Sequence, residues 1–199
     1  MKRLVVLASG EGTNLQAILD ACASGAVCAE VVAVVSNKSG SGALRRATAA
    51  GIEALHVGTA PSGVETRAEY DARLADAVLA CQADYVVCAG WMRILSMSFL
   101  RHFDKQVINI HPSLPGELVG ADAIRRAYQE QTHGHRRRTG VMVHYIVDEG
   151  VDNGPIIDHV EVEMRPGESF DALTERMHAV EHRLLVDTLA QLCETGGPS

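Results

Sequence analysis

Short apolar runs alternate with longer amphipathic segments through the first half of the chain, and this alternation limits the fold more than any other feature. Each run has four or five residues, and the segment after it carries apolar residues at helical spacing. Uninterrupted apolar strands between helices are typical of a parallel sheet that is covered on both faces. The predicted strands are 4–8, 31–35, 54–57 and 85–88, and the predicted helices are 13–23, 43–50 and 67–81.

The second half is less regular, with predicted strands at 107–110, 139–147 and 155–162 and predicted helices at 122–130 and 170–192. We expect the last two strands to pair with each other. The sequence therefore predicts an α/β fold, with a mostly parallel Rossmann-like sheet and helices on both faces, as one domain over residues 1–199. In such sheets, ligands bind along the carboxyl ends of the strands.

Composition excludes several classes of function. The 199 residues carry a formal net charge of -7 and only 4% aromatic residues, whereas nucleic-acid binding needs a basic face or stacking platforms. No apolar stretch approaches the roughly 18 residues of a membrane span. The five cysteines form no CxxC pair, and their odd number is typical of free thiols in a reducing cytosol. We therefore predict a cytoplasmic protein with neither a nucleic-acid nor a membrane partner.

Two glycines, Gly10 and Gly12, follow the first predicted strand, and Thr13 and Asn14 open the first predicted helix. The glycines let the backbone turn tightly and present N–H groups, and the helix N-terminus adds partial positive charge, so this segment can bind a phosphate without a lysine. It lacks both the third glycine of the dinucleotide fingerprint and the lysine of a P-loop, which favours a monophosphate. The alternative is a plain turn in which Thr13 or Asn14 caps the helix.

The segment 89–95, Ala-Gly-Trp-Met-Arg-Ile-Leu, follows the fourth predicted strand. Gly90 allows close approach of the backbone, and Met92, Ile94 and Leu95 can form an apolar wall for a flat ring beyond the strand end. The alternative is a loop that is tucked into the core.

An amide and an imidazole stand at alternate positions near the end of the fifth predicted strand. Alternation places Asn109 and His111 on the same face, and Pro112 ends the strand after them. An amide can stabilise an oxyanion and an imidazole can move a proton, which is what acyl transfer requires. The alternative is a strand-end histidine that is bonded to the backbone.

Asp152 lies in a glycine-bounded turn between the last two predicted strands, and turn chemistry alone usually explains such an aspartate. If the turn folds against His111, the Asp152 carboxylate stabilises the imidazolium and raises its pKa.

The remaining histidines and arginines are interpreted as structural. The histidines at 133, 135, 144 and 159 suggest a metal site, but no set of Cys or carboxylate residues lies near the His133–Gly134–His135 segment, and we expect a solvated loop. The run of three arginines at 136–138 is interpreted as a solvated face. No metal ligand is predicted.

These four motifs, in their order and spacing, resemble the phosphoribosylglycinamide formyltransferases, the folate-dependent family of purine synthesis. The similarity covers nearly the whole chain and includes LVVLASGEGTNLQAILDAC near the start, AGWMRILS at 89–96, INIHPSLPG at 108–116 and TGVMVHYIVDEGVDNGPII at 139–157. The Asn-x-His-Pro-Ser element is shared by the wider formyltransferase superfamily, whereas the SGxGTN loop points to glycinamide ribonucleotide. The resemblance implies the formyltransferase fold and transfer of the formyl group of 10-formyltetrahydrofolate to the primary amine of this ribonucleotide.

The resemblance also implies roles for individual residues. The catalytic residues would be Asn109, His111 and Asp152. The ribonucleotide would be bound by Gly12, Thr13, Asn14 and Glu181. The folate would be bound by Arg67, Met92, Arg93, Ile94, Leu95 and Asn109. No metal is needed because no hydrolytic water has to be activated.

On this basis, residues 1–100 form a phosphate-binding half and residues 101–199 a catalytic and folate-binding half, and a homodimer is compatible with the sequence. Two positions depart from the family pattern. The loop between His144 and Asp152 is one residue longer, through Gly150, and Asp122 replaces a second histidine that many relatives carry.

Three rival functions remain open. A formyltetrahydrofolate deformylase would use the same amide, imidazole and carboxylate, but it usually carries an N-terminal regulatory domain and has no need of a phosphate loop. A transformylase for methionyl-tRNA normally has a basic C-terminal extension. A non-catalytic module that binds phosphosugar or folate would not need all three polar residues.

Overall fold

A seven-stranded sheet forms the centre of this computed structural model, which describes residues 1–61 and 63–194. Its strands are β1 (Lys2–Leu7), β2 (Ala29–Ser36), β3 (Glu53–His56), β4 (Tyr85–Cys88), β5 (Val107–His111), β6 (Arg138–Tyr145) and β7 (Ile156–Glu163). Their order across the sheet is β3-β2-β1-β4-β5-β6-β7. The first five strands are parallel, and β6 runs antiparallel to both of its neighbours. The predicted mostly parallel sheet and the pairing of the last two strands are confirmed.

The helices of the described residues are α1 (Thr13–Ser24), α2 (Gly42–Ala49), α3 (Arg67–Ala80), α4 (Met97–Leu100), α5 (Ala123–Thr132) and α6 (Phe170–Glu194). All predicted elements are confirmed to within two residues at each end. Only α4 is missed, since a four-residue helix is too short to show helical periodicity. Within residues 1–61 and 63–194, no helix combines the length and the apolar character of a membrane span. The end of the predicted second half, 195–199, lies outside the described residues.

Side chains of β1 alternate between the two faces of the sheet, and helices cover both faces. Leu4 and Val6 belong to the core under α1, α2, α5 and α6, whereas Val5 and Leu7 belong to the core under α3 and α4. All four side chains are fully buried. Burial on both faces explains why the apolar runs are uninterrupted, and it confirms the predicted helices on both faces.

A capping box fixes the start of α3. The Glu69 N–H donates to Thr66 Oγ1, and the Thr66 N–H donates to the Glu69 carboxylate. This arrangement places Arg67 at the first helical position, beside the carboxyl edge of the sheet.

Candidate active site

β5 places an amide and an imidazole side by side at its carboxyl end. Asn109 lies in register between Cys88 of β4 and His144 of β6, and His111 is the last residue of the strand. Ile108 and Ile110 pack into the core on the α1 and α6 side, so the polar pair projects to the other face. The structure therefore places both side chains as the alternation predicts.

The Asp152 carboxylate joins this pair. Its Oδ2 lies 3.3 Å from His111 Nδ1, and its Oδ1 accepts a hydrogen bond of 3.2 Å from Asn109 Nδ2. The Gly120 N–H donates to the same Oδ2 at 2.8 Å. Asp152 has a φ of 51°, in the left-handed region that non-glycine residues seldom adopt. The loop between β6 and β7 thus folds back to bring this carboxylate against His111.

A backbone carbonyl orients the His111 ring. His111 Nε2 lies 3.1 Å from the Leu118 carbonyl oxygen, and because a carbonyl only accepts, Nε2 carries a hydrogen. Nδ1 is then the nitrogen that gains and loses a proton, and it faces Asp152. The imidazolium donates to both partners, whereas the neutral ring sets its Nδ1 lone pair against a carboxylate. The arrangement is suited to proton transfer at Nδ1.

Burial opposes the positive charge on this ring. His111 is only 6% exposed, and burial lowers its pKa more than the neighbouring Asp152 carboxylate raises it. Asp152 acts to raise the pKa of His111, as predicted, but the loss of hydration on burial outweighs this attraction, and the net pKa lies below the ordinary value. Burial acts to raise the pKa of Asp152, but the neighbouring His144, the hydrogen bond from the Gly120 N–H and the nearby His111 bring that pKa below its ordinary value.

His144 is a site residue that the sequence-based reasoning missed. It is 2% exposed, and its Nε2 lies 3.1 Å from Asn109 Nδ2 and 3.6 Å from Asp152 Oδ1. Both hydrogens of the Asn109 amide thus point to His144 and Asp152. The signal that finds His144 is its register opposite Asn109, which requires the antiparallel pairing of β5 and β6 to be known first.

The loop between β1 and α1 depends on glycine at position 12. Gly12 is the N-cap residue of α1 with a φ of 73°, and a Cβ there would lie 2.9 Å from Ala43 Cα. Because the cap is Gly12, the alternative in which Thr13 or Asn14 caps the helix is wrong. The first N–H groups of α1 are then available to an anion.

α6 brings Glu181 to the start of α1. Asn14 Nδ2 donates to Glu181 Oε2 at 3.3 Å, and Glu181 is 6% exposed. Burial raises the pKa of Glu181 to about 7, although the hydrogen bond from Asn14 acts in the opposite direction. Within the described chain, Asn14 Oδ1 is buried without a hydrogen-bond partner. An unused acceptor therefore lies beside the loop 8–12 between β1 and α1, which we call the phosphate loop after the role predicted from the sequence.

The segment after β4 divides between surface and core. Met92 is 68% and Ile94 45% exposed, whereas Leu95 is 2% exposed and packs in the core. The Ser9 N–H donates to the Gly90 carbonyl and the Met92 N–H donates to Ser9 Oγ, both at 3.0 Å. Met92 and Ile94 thus present an apolar surface that is tied to the phosphate loop, while Leu95 fits the alternative of a core residue.

Two buried groups on α3 hold this segment in place. Asp71 is fully buried and accepts a hydrogen bond of 2.7 Å from the Ser96 N–H. The Arg93 guanidinium lies 4.3 Å from the centroid of the Tyr70 ring, a cation–π contact. The sequence-based reasoning missed Asp71, although an acid on the apolar face of a helix is a visible signal.

Arg67 forms an ion pair with Glu149 of the loop between β6 and β7. Glu149 also accepts a hydrogen bond of 3.0 Å from the Met97 N–H at the start of α4. Both side chains of the pair are 43% exposed, and such pairs contribute little to stability. An anionic ligand can therefore displace Glu149 and pair with Arg67 in its place.

A cleft of about 560 Å³ opens beside the phosphate loop, at the carboxyl ends of β1, β2 and β3. Ser9, Lys38 and His56 are among its lining residues. Lys38 thus places a positive charge near the loop.

Comparison with known proteins identifies the family. The formyl transferase family model matches residues 2–189. The chain belongs to the formyl transferase family. This formyl transferase is 42% identical over 200 residues to the phosphoribosylglycinamide formyltransferase of Schizosaccharomyces pombe, an alignment of 95% of this chain and 96% of that protein.

Two further relatives agree. The formyl transferase is 40% identical over 193 residues to the trifunctional purine biosynthetic protein adenosine-3 of Drosophila melanogaster, which aligns 96% of this chain with only 14% of that protein. The crystal structure of glycinamide ribonucleotide transformylase 1 from Symbiobacterium toebii superposes with a TM-score of 0.89 at 38% identity, covering 98% of this chain and 89% of that one.

The structure shows the local conformation of the two positions that the sequence analysis set apart from the family pattern. The Gly150 N–H donates to Asp148 Oδ1 at 2.7 Å, so the loop folds on itself before Asp152. Asp122 has a φ of 58° and stands at the N-cap position of α5. Among residues 1–61 and 63–194, no cluster of three or more His, Cys, Asp or Glu side chains is arranged to hold a metal.

Proposed function

We propose that this formyl transferase moves the formyl group of 10-formyltetrahydrofolate to the primary amine of glycinamide ribonucleotide, in purine synthesis. The observation that carries this proposal is the Asp152 carboxylate that joins Asn109 and His111 at the end of β5. Relatives aligned over nearly the whole chain carry the names phosphoribosylglycinamide formyltransferase and glycinamide ribonucleotide transformylase, which supports the same substrates.

The reaction needs an oxyanion donor and a proton carrier. The amine attacks the formyl carbon, a C–N bond forms, and the carbonyl oxygen becomes an oxyanion in a tetrahedral intermediate. Asn109 Nδ2 donates to this oxygen after one of its hydrogens turns away from Asp152 or His144, and protonated His111 adds charge stabilisation. The bond to the folate nitrogen then breaks, and that nitrogen receives a proton from His111 Nδ1. Asp152 accepts the proton of the attacking amine through water and returns His111 to its charged form.

The substrates are placed by the two ends of the site. The first turn of α1, at Gly12, Thr13 and Asn14, binds the ribonucleotide phosphate through backbone N–H groups. Asn14 Oδ1 and Glu181 meet hydroxyl or amide groups of the same substrate. The folate ring lies against Met92 and Ile94 with Leu95 behind them, and Arg67 and Arg93 supply positive charge near its glutamate tail.

In this assignment the catalytic residues lie in 101–199, whereas the residues proposed to contact the folate lie in 1–100 apart from Asn109, so the predicted division into a phosphate-binding half at 1–100 and a catalytic and folate-binding half at 101–199 stays a prediction. A cytoplasmic location is part of the proposal, and a homodimer stays a prediction that light scattering tests.

The proposal is tested by steady-state kinetics, following folate absorbance. Asn109→Ala removes one oxyanion donor and should lower kcat about 10²–10³-fold. His111→Asn removes the proton carrier and should lower kcat by about 10²–10⁴-fold. In both variants the KM for the ribonucleotide should change little, because the phosphate is held elsewhere. His159→Asn, an exposed histidine on β7, is the matched control. Near-parental kcat in His111→Asn would falsify the assignment.

The deformylase alternative predicts a different requirement for substrate. The same assay without ribonucleotide should show no conversion of 10-formyltetrahydrofolate, because the formyl group then has no acceptor. Ribonucleotide-independent release of formate would support a deformylase. No turnover under either condition would support a binding module.

A further inference from the structure

We infer that Glu117 and Arg136 form a positioning ion pair that orients His111 and Asp152 for reaction, an inference that rests on the proposed function. The loop 112–122, between β5 and α5, supplies one backbone group to each of these side chains. The Leu118 carbonyl accepts from His111 Nε2, and the Gly120 N–H donates to Asp152 Oδ2. Any shift of this loop therefore moves the acid–base pair as a unit.

The loop reaches this geometry through unfavourable backbone conformations. Leu118 has a φ of 41°, in the left-handed region where a Cβ crowds the following carbonyl. Gly116 and Gly120 lie in the same region, with φ of 76° and 84°, where glycine is tolerated. A leucine persists there only when surrounding contacts hold it. The carbonyl that orients His111 is thus the one on the strained residue.

Glu117, the neighbour of Leu118, contributes to that hold, together with the packing of Leu118 against the core. Its carboxylate pairs with Arg136 and lies 3.7 Å from Arg138 Nη2, at the start of β6. Arg136 Nε also donates to Glu130 Oε2 on α5 at 2.7 Å. One guanidinium therefore ties the loop to α5 and to the strand beside β5, which fixes the loop from two directions.

This pair is shielded from water more than a typical surface pair. The Arg136 side chain is 15% exposed and that of Glu117 28%, so the interpretation of the arginine run as a fully solvated face is wrong for Arg136. A planar guanidinium that bridges two carboxylates is also directional, which an ammonium is not. The pair can therefore set a position as well as add stability.

A pair that only stabilises the fold gives a different result from a pair that positions the acid–base groups. Arg176 and Glu168 supply the comparison, since they form two hydrogen bonds of 2.7 Å and Glu168 is 6% exposed. That pair links α6 to the turn before it and contacts neither His111 nor Asp152. Arg176→Gln therefore removes a comparably shielded ion pair and serves as the control for Arg136→Gln.

We expect Glu117→Gln and Arg136→Gln to lower kcat by about tenfold to a hundredfold, because small misplacements of reacting groups have effects of this size. The KM for the ribonucleotide should stay within about threefold, and Arg176→Gln should keep parental kcat while losing comparable thermal stability.

The double variant Glu117→Gln/Arg136→Gln should be no slower than Arg136→Gln alone, because both changes remove the same pair. Arg136→Lys keeps the positive charge but loses the planar guanidinium. This variant should fold, and its kcat should lie between those of the parent and Arg136→Gln.

A direct readout separates this inference from the proposed function. Amide exchange at Gly120 should accelerate, and ¹⁵N spectra of the His111 ring should lose the pure Nε2–H tautomer, in the Glu117 and Arg136 variants but not in Arg176→Gln. Unchanged exchange, or kcat within about twofold of the parent, would overturn the positioning role. If the parent shows no ribonucleotide-dependent formyl transfer, the proposed function fails instead, whatever the Gly120 amide shows.

Discussion

Two buried carboxyl groups, Asp152 and Glu181, have pKa shifts in opposite directions. Asp152 accepts hydrogen bonds from Asn109 and the Gly120 N–H and lies beside two histidines, so its charge is compensated. The structure gives Glu181 one such donor, Asn14, and burial dominates. Asp152 thus has more donors and histidine neighbours to offset its burial than Glu181 has, and the two pKa values shift in opposite directions.

The raised pKa of Glu181 makes stability fall as pH rises. The folded protein keeps this proton up to about pH 7, whereas the unfolded chain releases it near the ordinary carboxyl pKa of 4.5. Between pH 5 and pH 8, the free energy of unfolding of the parent should drop relative to Glu181→Gln by about 2 to 3 kcal/mol. Urea unfolding at several pH values measures this difference.

Glu168→Gln is the control for this prediction, because Arg176 holds the pKa of Glu168 below its ordinary value. Glu168 is then ionised in both states above pH 5, and its variant should keep a constant difference from the parent. A constant difference for Glu181→Gln as well would show that Glu181 is ionised in the folded protein.

The residues of the site differ in how far sequence reasoning reaches them. Asn109 and His111 follow from local alternation in one strand, which a sequence displays directly. His144 and Arg136 do not, because their roles depend on partners that are brought together only by the pairing of β5 with β6 and by the fold of the loop 112–122. The sequence also does not predict the net pKa of His111, because that pKa depends on how deeply the folded chain buries the ring.

At the scale of elements, the alternation of apolar runs and amphipathic segments predicts nearly the whole order of strands and helices. It predicts neither α4 nor the direction of β6, because four residues show no period and the regular alternation that indicates parallel strands is lost in the second half of the chain. The sequence specifies the start of α1 more closely than these features, because the position requires a glycine. Gly12 has a left-handed φ and packs against Ala43.

The prediction that the ribonucleotide phosphate binds at the N-terminus of α1 can be tested at Gly12. Gly12→Ala places a Cβ 2.9 Å from Ala43 Cα at a φ of 73°, which should displace the first turn of α1. We expect the KM for the ribonucleotide to rise by at least about tenfold, the effect of losing 1.4 kcal/mol of binding. Gly25→Ala is the matched control, because Gly25 caps the other end of α1 with a φ of 78° and open space around its Cβ. Equal KM changes in both variants would point to helix destabilisation rather than phosphate binding.

For the whole molecule, a net charge of -7 repels the anionic substrates that the site is proposed to bind. The charges that oppose this repulsion are local, at the N-terminus of α1, at Lys38 beside the cleft, and at Arg67 and Arg93. Glu53 and Asp104 lie at the amino ends of β3 and β5, so they are separated from the carboxyl edge by the length of the sheet. The four residues of β3 span roughly 13 Å and the five residues of β5 roughly 17 Å, whereas charges are screened over about 8 Å at physiological salt.

Neutralising distant acids should therefore matter less than removing one cation at the site. The double variant Glu53→Gln/Asp104→Asn changes the net charge from -7 to -5 and should alter the KM for the ribonucleotide by less than about twofold at physiological salt. Lys38→Gln changes the net charge by only one, yet it should raise this KM by more, because Lys38 lines the same cleft as Gly10 and Glu11 of the phosphate loop. Both are measured at low and physiological salt. A larger effect from the distant pair at physiological salt would mean that the long-range field, rather than the helix terminus and its neighbours, governs substrate capture.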